Sequence, residues 1–164
     1  MFGDDITISE TPVAKQLIDA FEKESPQAVL ATQKVPDSEV ERYGTISYKK
    51  DADYKYEMKE GYEKLSPSEA PSNMAQFGRF VFTHRVIDEV LDTPPGKDNE
   101  LWIMDVLNNL AQNGKKVIAP PIEGKWLTTG DPLRWLKANV EFALRRDDIG
   151  PEFKKYLKKL DELN

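Results

Sequence analysis

The apolar pattern near the start of the chain predicts a helix followed by a buried strand. Thr11 is a capping residue and Pro12 suits the first position of a helix, so a helix is expected from there. Its apolar face repeats at helical spacing through Ala14, Leu17, Ile18 and Phe21. After Pro26, the continuous apolar run Ala28–Thr32 predicts a strand that is covered on both faces of a sheet.

The middle of the chain alternates apolar and polar residues and predicts a β-hairpin. Its strands are expected at Thr45–Tyr48 and Tyr54–Met58, with a polar turn between them. A further apolar run, Phe77–Phe82, contains Gly78, which indicates that another part of the chain approaches the backbone closely.

The rest of the chain predicts four helices and one more strand. The helices are a short one capped by Thr83, then Leu101–Asn113, Leu133–Leu144 and one that opens with Pro151. The strand is Lys116–Ile122, and the helix Leu133–Leu144 has its apolar register at Leu133, Leu136, Val140 and Ala143. The last helix has one apolar stripe, formed by Phe153, Tyr156, Leu157, Leu160 and Leu163. Helices that alternate with strands predict a single-domain α/β layer structure.

Composition excludes several classes of function. The 23 basic and 29 acidic residues give a net charge of −6 without a basic cluster, so we expect no nucleic-acid partner. The chain has no cysteine, which excludes disulfides, thiol nucleophiles and cysteine-bound metals. Because His84 is the only histidine, any metal would be a hard cation held by oxygen ligands.

Hydropathy and cysteine usage also bear on location. No apolar run approaches the roughly 18 residues of a membrane span, and the first residues lack the pattern of a signal peptide. We therefore expect no membrane partner. The absence of cysteine fits a reducing cytoplasm, which is the expected location.

Three polar segments allow both a structural and a functional interpretation. Asp4 and Asp5 come where a strand could end, at which α/β sheets bind ligands, but acidic loops after strands are common. The pair Glu63–Lys64 either lies on the surface of an edge strand or hydrogen-bonds a sugar and a phosphate. Asp131, after Thr128-Thr129-Gly130, is sufficiently explained as a helix N-cap.

The order of these segments, taken with two longer motifs, resembles one enzyme family. The motifs are Ala70-Pro71-Ser72-Asn73 and the helix that runs from Leu136 through Lys137-Ala138-Asn139 to Leu144. In series with Gly96–Glu100 and Asp105, they resemble the bacterial-type UTP–glucose-1-phosphate uridylyltransferases. The resemblance covers essentially the whole chain and corresponds to the C-terminal part of those proteins.

The resemblance implies a fold and a domain content. The expected fold is a partial Rossmann-like, glycosyltransferase-A-like mixed sheet with flanking helices, a β-hairpin insertion and C-terminal helices. Family members hold the nucleotide triphosphate with a glycine-rich loop that has no counterpart in these residues. We therefore expect residues 1–164 to be the sugar-phosphate-binding and oligomerisation part of a nucleotidyltransferase domain, without its N-terminal nucleotide-binding part.

The implied reaction is nucleotidyl transfer from UTP to glucose 1-phosphate, which gives UDP-glucose and pyrophosphate as part of a full-length enzyme. Two alternatives stay open: a thymidylyltransferase, or a non-catalytic interaction or regulatory module derived from this fold. The chain by itself is expected to be inactive. It is also expected to associate with itself, through its C-terminal helices and through an open sheet edge beside Ala28–Thr32.

The resemblance assigns a Mg²⁺ cofactor to the acidic segment. Asp4 matches the catalytic aspartate that binds Mg²⁺, and its neighbour Asp5 is the second choice. Many relatives have a second aspartate at the position of Thr128, where this chain offers a neutral hydroxyl.

The resemblance assigns the sugar phosphate to a second set of residues. Gly44 matches a glycine whose backbone approaches the hexose, and Glu63 matches the acid that binds the sugar hydroxyls. Lys64 matches the catalytic base that contacts the sugar-linked phosphate, and Asn73 lies in the stretch that lines the sugar pocket.

Overall fold

A computed structural model describes residues 1–95 and 99–161. Its strands are β1 (Asp5–Ile8), β2 (Ala28–Lys34), β3 (Gly44–Tyr48), β4 (Met58–Glu63), β5 (Met74–Phe82), β6 (Val117–Ile118) and β7 (Lys125–Thr128). Its helices are α1 (Val13–Glu24), α2 (His84–Asp92), α3 (Ile103–Gln112), α4 (Pro132–Leu144) and α5 (Gly150–Asp161), with a 3₁₀ helix at Asp37–Arg42. The chain divides into two compact units.

The first unit, Met1–Gly3 with Thr7–Lys125, is built on a five-stranded mixed sheet. The strand order is β4-β3-β5-β2-β6. Only the β2–β6 pairing is parallel among the described strand pairs of this sheet. Helices α1 and α3 pack on the sheet, so the predicted α/β class with a mixed sheet and flanking helices is confirmed.

Strand β2 is the buried strand that its continuous apolar run predicts. Its first five residues, Ala28–Thr32, are fully buried. Ala28 pairs with Phe82 of β5 on one side and with Val117 of β6 on the other. The expectation of an open sheet edge beside this strand is therefore wrong, because both edges of β2 are hydrogen-bonded at that position.

The predicted hairpin is present, but its second strand begins later than expected. Strands β3 and β4 pair from Gly44 opposite Glu63 to Tyr48 opposite Met58. The segment Tyr54–Glu57 belongs instead to the connection, where Glu57 forms an isolated bridge with Ile118. The Tyr56 ring packs edge-on against Tyr48 of β3 and against Tyr54 of the connection.

Two other predicted elements differ in their extent or in the face that they bury. The strand expected at Lys116–Ile122 is reduced to β6, because Pro120 and Pro121 have no amide hydrogen for a ladder. Helix α1 starts at Val13, after Pro12, without a side-chain cap. Its buried residues are Val13 and Leu17, whereas Ile18 of the predicted apolar face is 42% exposed.

The main core lies where α3 packs on the sheet of the first unit. It is formed by Ala28, Leu30, Ile46, Met58, Val86, Met104, Val106, Leu107, Leu110, Ala111, Val117 and Ala119. This packing fixes strands β3, β4 and β5 side by side. The polar residues at the ends of those strands are positioned by that arrangement.

The second unit contains Asp4–Ile6 and the chain from Trp126 onward. Strands β1 and β7 pair in a two-stranded sheet, and helices α4 and α5 pack on each other. The bounds of α4 agree with the predicted helix, but its apolar register does not. Ala138 is buried, whereas Leu133 and Leu136 are 59% and 54% exposed.

Helix α5 confirms the predicted last helix and begins at Gly150. The rings of Phe153 and Tyr156 lie 6.4 Å apart. Leu163 of the predicted stripe and Gly96 of the Gly96–Glu100 motif lie outside the described residues. None of the helices described here has the length and apolar character needed to cross a membrane.

Candidate functional site

Gly44 and Glu63 form the centre of a polar site at the end of the β3–β4 hairpin. They are directly opposite each other in the antiparallel register. A Cβ atom on Gly44 would lie 2.9 Å from Oε1 of Glu63, which is closer than side chains approach one another. Glycine is therefore required at this position if the Glu63 carboxylate is to stay where it is. The structure brings together two of the residues that the sequence assigns to the sugar.

The neighbouring strand β5 adds Gln76, which sequence reasoning missed. Its Nε2 donates to Oε1 of Glu63 over 3.4 Å, and the same Nε2 would lie 3.0 Å from a Cβ on Gly44. Gln76 sits inside the mostly apolar strand Met74–Phe82. A polar residue within such a strand, directly before the Phe77–Phe82 run, is the signal that could have found it.

Burial gives Glu63 its electrostatic character. Desolvation is the largest influence and raises the pKa of Glu63, and the negative charge of Asp105 raises it further. The positive charge of Lys64 and the hydrogen bond from Gln76 act in the opposite direction and lower this pKa. A carboxylate held away from water in this way is a strong acceptor for hydroxyl donors.

Lys64 follows Glu63 in a backbone conformation that is unusual for a residue with a side chain. Its φ angle is 51°, and its amide donates to the carbonyl of Tyr43 at 3.2 Å. The ammonium lies 5.8 Å from the centre of the Trp102 ring. Left-handed conformations of such residues are strained and are found often at functional sites. Lys64 thus keeps one backbone hydrogen bond to the segment that precedes β3, while its side chain is exposed.

Asn73 is not joined to this site by a hydrogen bond among the described residues. Its side chain donates to Oδ1 of Asp37 at 3.3 Å, and its carbonyl accepts from the amide of Val35 at 3.0 Å. Both contacts tie the start of β5 to the segment after β2. The geometry thus gives Asn73 a structural role, and its assignment to the sugar pocket stays a prediction.

Asp4 and Thr128 converge in the second unit. A Cβ on Gly130 would lie 3.5 Å from Oδ2 of Asp4 and 3.6 Å from Oγ1 of Thr128. The carbonyl of Asp4 also accepts from the amide of Thr129 at 2.7 Å and from its hydroxyl at 3.0 Å. These hydrogen bonds of its carbonyl hold Asp4 in place. Its carboxylate lies next to Gly130, where the absence of a side chain leaves space.

The Asp4 carboxylate and the Thr128 hydroxyl are oxygen ligands, which are the type that a hard divalent cation prefers. A carboxylate and a hydroxyl are ligands of the type that Mg²⁺ accepts, together with water and substrate phosphates. Within residues 1–95 and 99–161, no group of three or more His, Cys, Asp or Glu side chains is arranged to hold a metal. A cation here would therefore take further ligands from solvent or from a phosphate.

Asp5 has a different role from its neighbour. It is 6% exposed, and its Oδ1 accepts from the indole Nε1 of Trp126 at 2.6 Å. The contact links β1 to β7, so Asp5 is a structural residue and is unsuited to be the alternative metal ligand. Asp131 is the helix N-cap that the sequence indicates, because its Oδ1 accepts from the amide of Arg134 at 3.0 Å.

Comparison with protein families and curated sequences identifies the family of this chain. A family model described as "Nucleotidyl transferase" matches residues 1–144. The UTP–glucose-1-phosphate uridylyltransferase of Staphylococcus epidermidis is 34% identical over 161 residues, which are 98% of this chain and 55% of that protein. A second uridylyltransferase, from Staphylococcus saprophyticus, is 34% identical over 160 residues. The chain thus spans about half the length of the curated relatives it matches.

Solved structures give the same result for the fold. A UDP-glucose pyrophosphorylase complexed with UDP-glucose matches 87% of this chain and 54% of its own, with a TM-score of 0.78 and 32% identity. The UDP-glucose pyrophosphorylase of Acinetobacter baumannii matches 96% of this chain with a TM-score of 0.82. At 24% identity, that second likeness concerns the fold alone.

Proposed function

Because the chain belongs to the nucleotidyl transferase family, we propose that it supplies the hexose-phosphate part of a UTP–glucose-1-phosphate uridylyltransferase. The observation that carries the proposal is the close opposition of Gly44 and Glu63, where a Cβ would come within 2.9 Å of the carboxylate. Because Gly44 has no side chain, the Glu63 carboxylate lies against the backbone, where it can accept hydrogen bonds from a ring with several hydroxyls.

The proposed reaction is a phosphoryl-centred substitution. An oxygen of the glucose 1-phosphate group attacks the α-phosphorus of UTP and forms a new P–O bond. The bond from that phosphorus to the bridging oxygen of the β-phosphate breaks, and pyrophosphate leaves with the electron pair. UDP-glucose is the other product. Reactions of this kind depend mainly on positioning and on neutralising the charge of the phosphates.

The residues at the end of the hairpin bind and orient the sugar phosphate. The backbone of Gly44 lies beside the hexose, and Glu63 accepts hydrogen bonds from its hydroxyl groups. Lys64 places its ammonium, which is exposed, against the phosphate attached to the sugar. A cation at that point offsets the repulsion between two anionic reactants, which favours their approach.

Asp4 and Thr128 are the residues that would hold Mg²⁺. Their oxygens converge on the space beside Gly130 and offer one charged and one neutral ligand. When bound, the ion supplies charge neutralisation to the nucleotide phosphates. The protein's own contribution is to keep the Asp4 carboxylate fixed through the bonds of its carbonyl to Thr129.

The second unit also suits self-association, which we include in the proposal. The exposed apolar residues of α4 and α5 are numerous for two short helices. They are Leu133, Trp135, Leu136, Phe142, Leu144, Tyr156 and Leu160. Pairing of two copies through these helices would remove apolar area from water. The proposal also places the protein in the cytoplasm, which the absence of cysteine fits.

The direct test is the binding of glucose 1-phosphate to the purified chain, measured by isothermal titration calorimetry. Binding is expected for wild type and a loss of at least tenfold for Glu63→Ala and for Lys64→Ala, because each removes a charged partner. Lys59→Ala, which alters an exposed lysine of the same strand, is the matched control and is expected to bind normally. Equal affinity for all four proteins would contradict the proposal.

A further inference from the structure

Gln76 has a feature that the proposed function does not explain. Its side-chain Oε1 is one of two buried side-chain atoms without a hydrogen-bond partner among the described residues, and the other is Oγ1 of Thr45. Consecutive residues of a strand point to opposite faces, so Thr45 is directed away from the face of Gly44. Buried polar atoms are nearly always paired, and an exception next to a binding site calls for an explanation.

The position of the Gln76 carboxamide ties it to the candidate sugar site. Its hydrogen-bond partner among the described residues is Glu63, and its Nε2 and Cγ would lie 3.0 Å and 3.1 Å from a Cβ on Gly44. Gln76 therefore packs beside Gly44 and the Glu63 carboxylate. The strand scaffold supplies no donor to its carbonyl oxygen.

We propose that Gln76 is a sugar-recognition and positioning residue: its Nε2 holds Glu63, and its Oε1 accepts one hydroxyl of the bound hexose. The inference rests on the proposed function, because it takes a hexose phosphate as the ligand. A carboxylate and an amide carbonyl that lie side by side are both acceptors, so they match two hydroxyl donors on one ring. Since the terminal torsion of glutamine is soft, a small turn of the carboxamide brings Oε1 to the ligand.

The test is a titration of glucose 1-phosphate and its four monodeoxy analogues, lacking the 2-, 3-, 4- or 6-hydroxyl, into the purified chain. Gln76→Met keeps the shape of the side chain and removes both hydrogen bonds. We expect it to bind glucose 1-phosphate about tenfold more weakly than wild type. For one analogue, which lacks the hydroxyl that Gln76 recognises, we expect this difference between variant and wild type to disappear.

Two further proteins separate recognition from a structural role. Gln33→Met, on the adjacent strand β2, is the matched control and is expected to bind all five ligands like wild type. Gln76→Glu keeps an acceptor but replaces the donor to Glu63 with a second negative charge. It is expected to lose affinity on acidification at a higher pH than wild type, because the second negative charge raises the pKa of Glu63 and the hydrogen bond from Gln76, which lowers this pKa, is lost.

The outcomes distinguish this inference from the proposed function. If wild type does not bind glucose 1-phosphate, both are overturned. If wild type binds and Gln76→Met binds equally well, only the role of Gln76 is overturned. The same holds if Gln76→Met weakens all five ligands by one common factor, since a merely structural effect would not depend on a single hydroxyl.

Discussion

The indole Nε1 of Trp126 donates to the buried carboxylate of Asp5 at 2.6 Å, and this contact fixes strand β1 against β7. The preceding residue, Asp4, is anchored through its carbonyl and has its carboxylate near Thr128 and Gly130. Two adjacent aspartates of the same chemistry thus have separate roles, one structural and one at the candidate cation site.

Replacement of these aspartates is expected to separate stability from cation binding. Asp5→Ala should lower the free energy of unfolding by about 2 kcal/mol, because it leaves a half-buried indole donor without this acceptor. Asp4→Ala should change it by less than about 0.5 kcal/mol, since the bonds of its carbonyl remain. Urea denaturation measures both, and Mn²⁺ titration followed by electron paramagnetic resonance should show binding lost in Asp4→Ala. Unaltered Mn²⁺ binding by that variant would remove Asp4 from the cation site.

Gly44→Ala is expected to weaken the binding of glucose 1-phosphate at least tenfold while leaving the chain folded. The new methyl group would meet the ends of the Glu63 and Gln76 side chains, which can move away. Affinity should therefore fall at least tenfold, and the far-ultraviolet circular dichroism spectrum should not change. Gly3→Ala, whose Cβ would have no heavy atom within 4 Å, is the control. A variant that binds normally would show that the contact between Gly44 and the Glu63 carboxylate is not needed for binding.

Glu63→Gln is expected to make the folded chain more stable at pH 7. Burial raises the pKa of Glu63 in the folded state, so the fold favours the protonated form. That contribution is complete below the pKa of the unfolded chain and is lost as the pH rises through the higher folded pKa. The glutamine of Glu63→Gln is neutral at every pH, so the variant keeps this contribution to stability at pH 7. Thermal denaturation should show a higher midpoint for the variant at pH 7 and none of this difference at pH 3.

The control for this pH comparison is Glu60→Gln, which removes one charge from the same strand. Glu60→Gln should not raise the midpoint of thermal denaturation at pH 7 as Glu63→Gln does. A wild-type chain that is at least as stable as Glu63→Gln at pH 7 would show that burial does not penalise the Glu63 carboxylate.

Tyr48→Phe is expected to destabilise the first unit at neutral pH. The Tyr48 hydroxyl donates to the carbonyl of Ala119 at 2.9 Å, and its loss should lower the free energy of unfolding by about 1 kcal/mol. Burial also raises the pKa of Tyr48 from 10.0 to about 12. The stability that the wild-type hydroxyl supplies is therefore present below pH 10 and is lost as the pH rises through about 12.

The measurement for Tyr48 is urea denaturation at pH 7 and at pH 11, with Tyr156→Phe as an exposed control. The difference in the free energy of unfolding between wild type and Tyr48→Phe should be smaller at pH 11 than at pH 7. A gap that widens in base would contradict the assigned direction of the pKa.

Trp135→Glu is expected to reduce self-association through α4. Trp135 is 54% exposed beside other exposed apolar residues of that helix, and a charge there opposes its burial between two copies. Light scattering over a range of concentrations should show a smaller average mass than for wild type. Lys137→Glu, which alters the charge at an exposed polar position of the same helix, is the control. A wild-type chain that is monomeric at every concentration would overturn the proposed association.

The sequence predicts the elements better than it predicts the faces that they bury. The continuous run Ala28–Thr32 identifies β2 because a central strand is apolar on both faces. For α4, the periodicity selects Leu133 and Leu136, yet these are exposed and Ala138 is buried. The hydrophobic periodicity of a helix shows which face is apolar, but contact with another part of the chain decides which face is covered.

The candidate site shows the same division between local and non-local information. The family resemblance assigns Gly44 and Glu63 to the sugar, and the hairpin register places them opposite each other. The sequence does not indicate Gln76, because its contact with Glu63 depends on the order β4-β3-β5 in the sheet, which a linear motif does not contain. The sequence alone does not separate Asp5 from Asp4 as a metal ligand, because the partner of Asp5, Trp126, lies far along the chain.

The most direct test of the account is a two-dimensional ¹H–¹⁵N nuclear magnetic resonance titration of the chain with glucose 1-phosphate. We predict that the largest shifts fall on the amides of Gly44, Glu63 and Lys64 and on the side-chain amide of Gln76. We also predict that they are absent from Gly44→Ala. Saturable shifts confined to other residues, with Gly44 and Glu63 unaffected, would contradict the assignment of this site to a hexose phosphate.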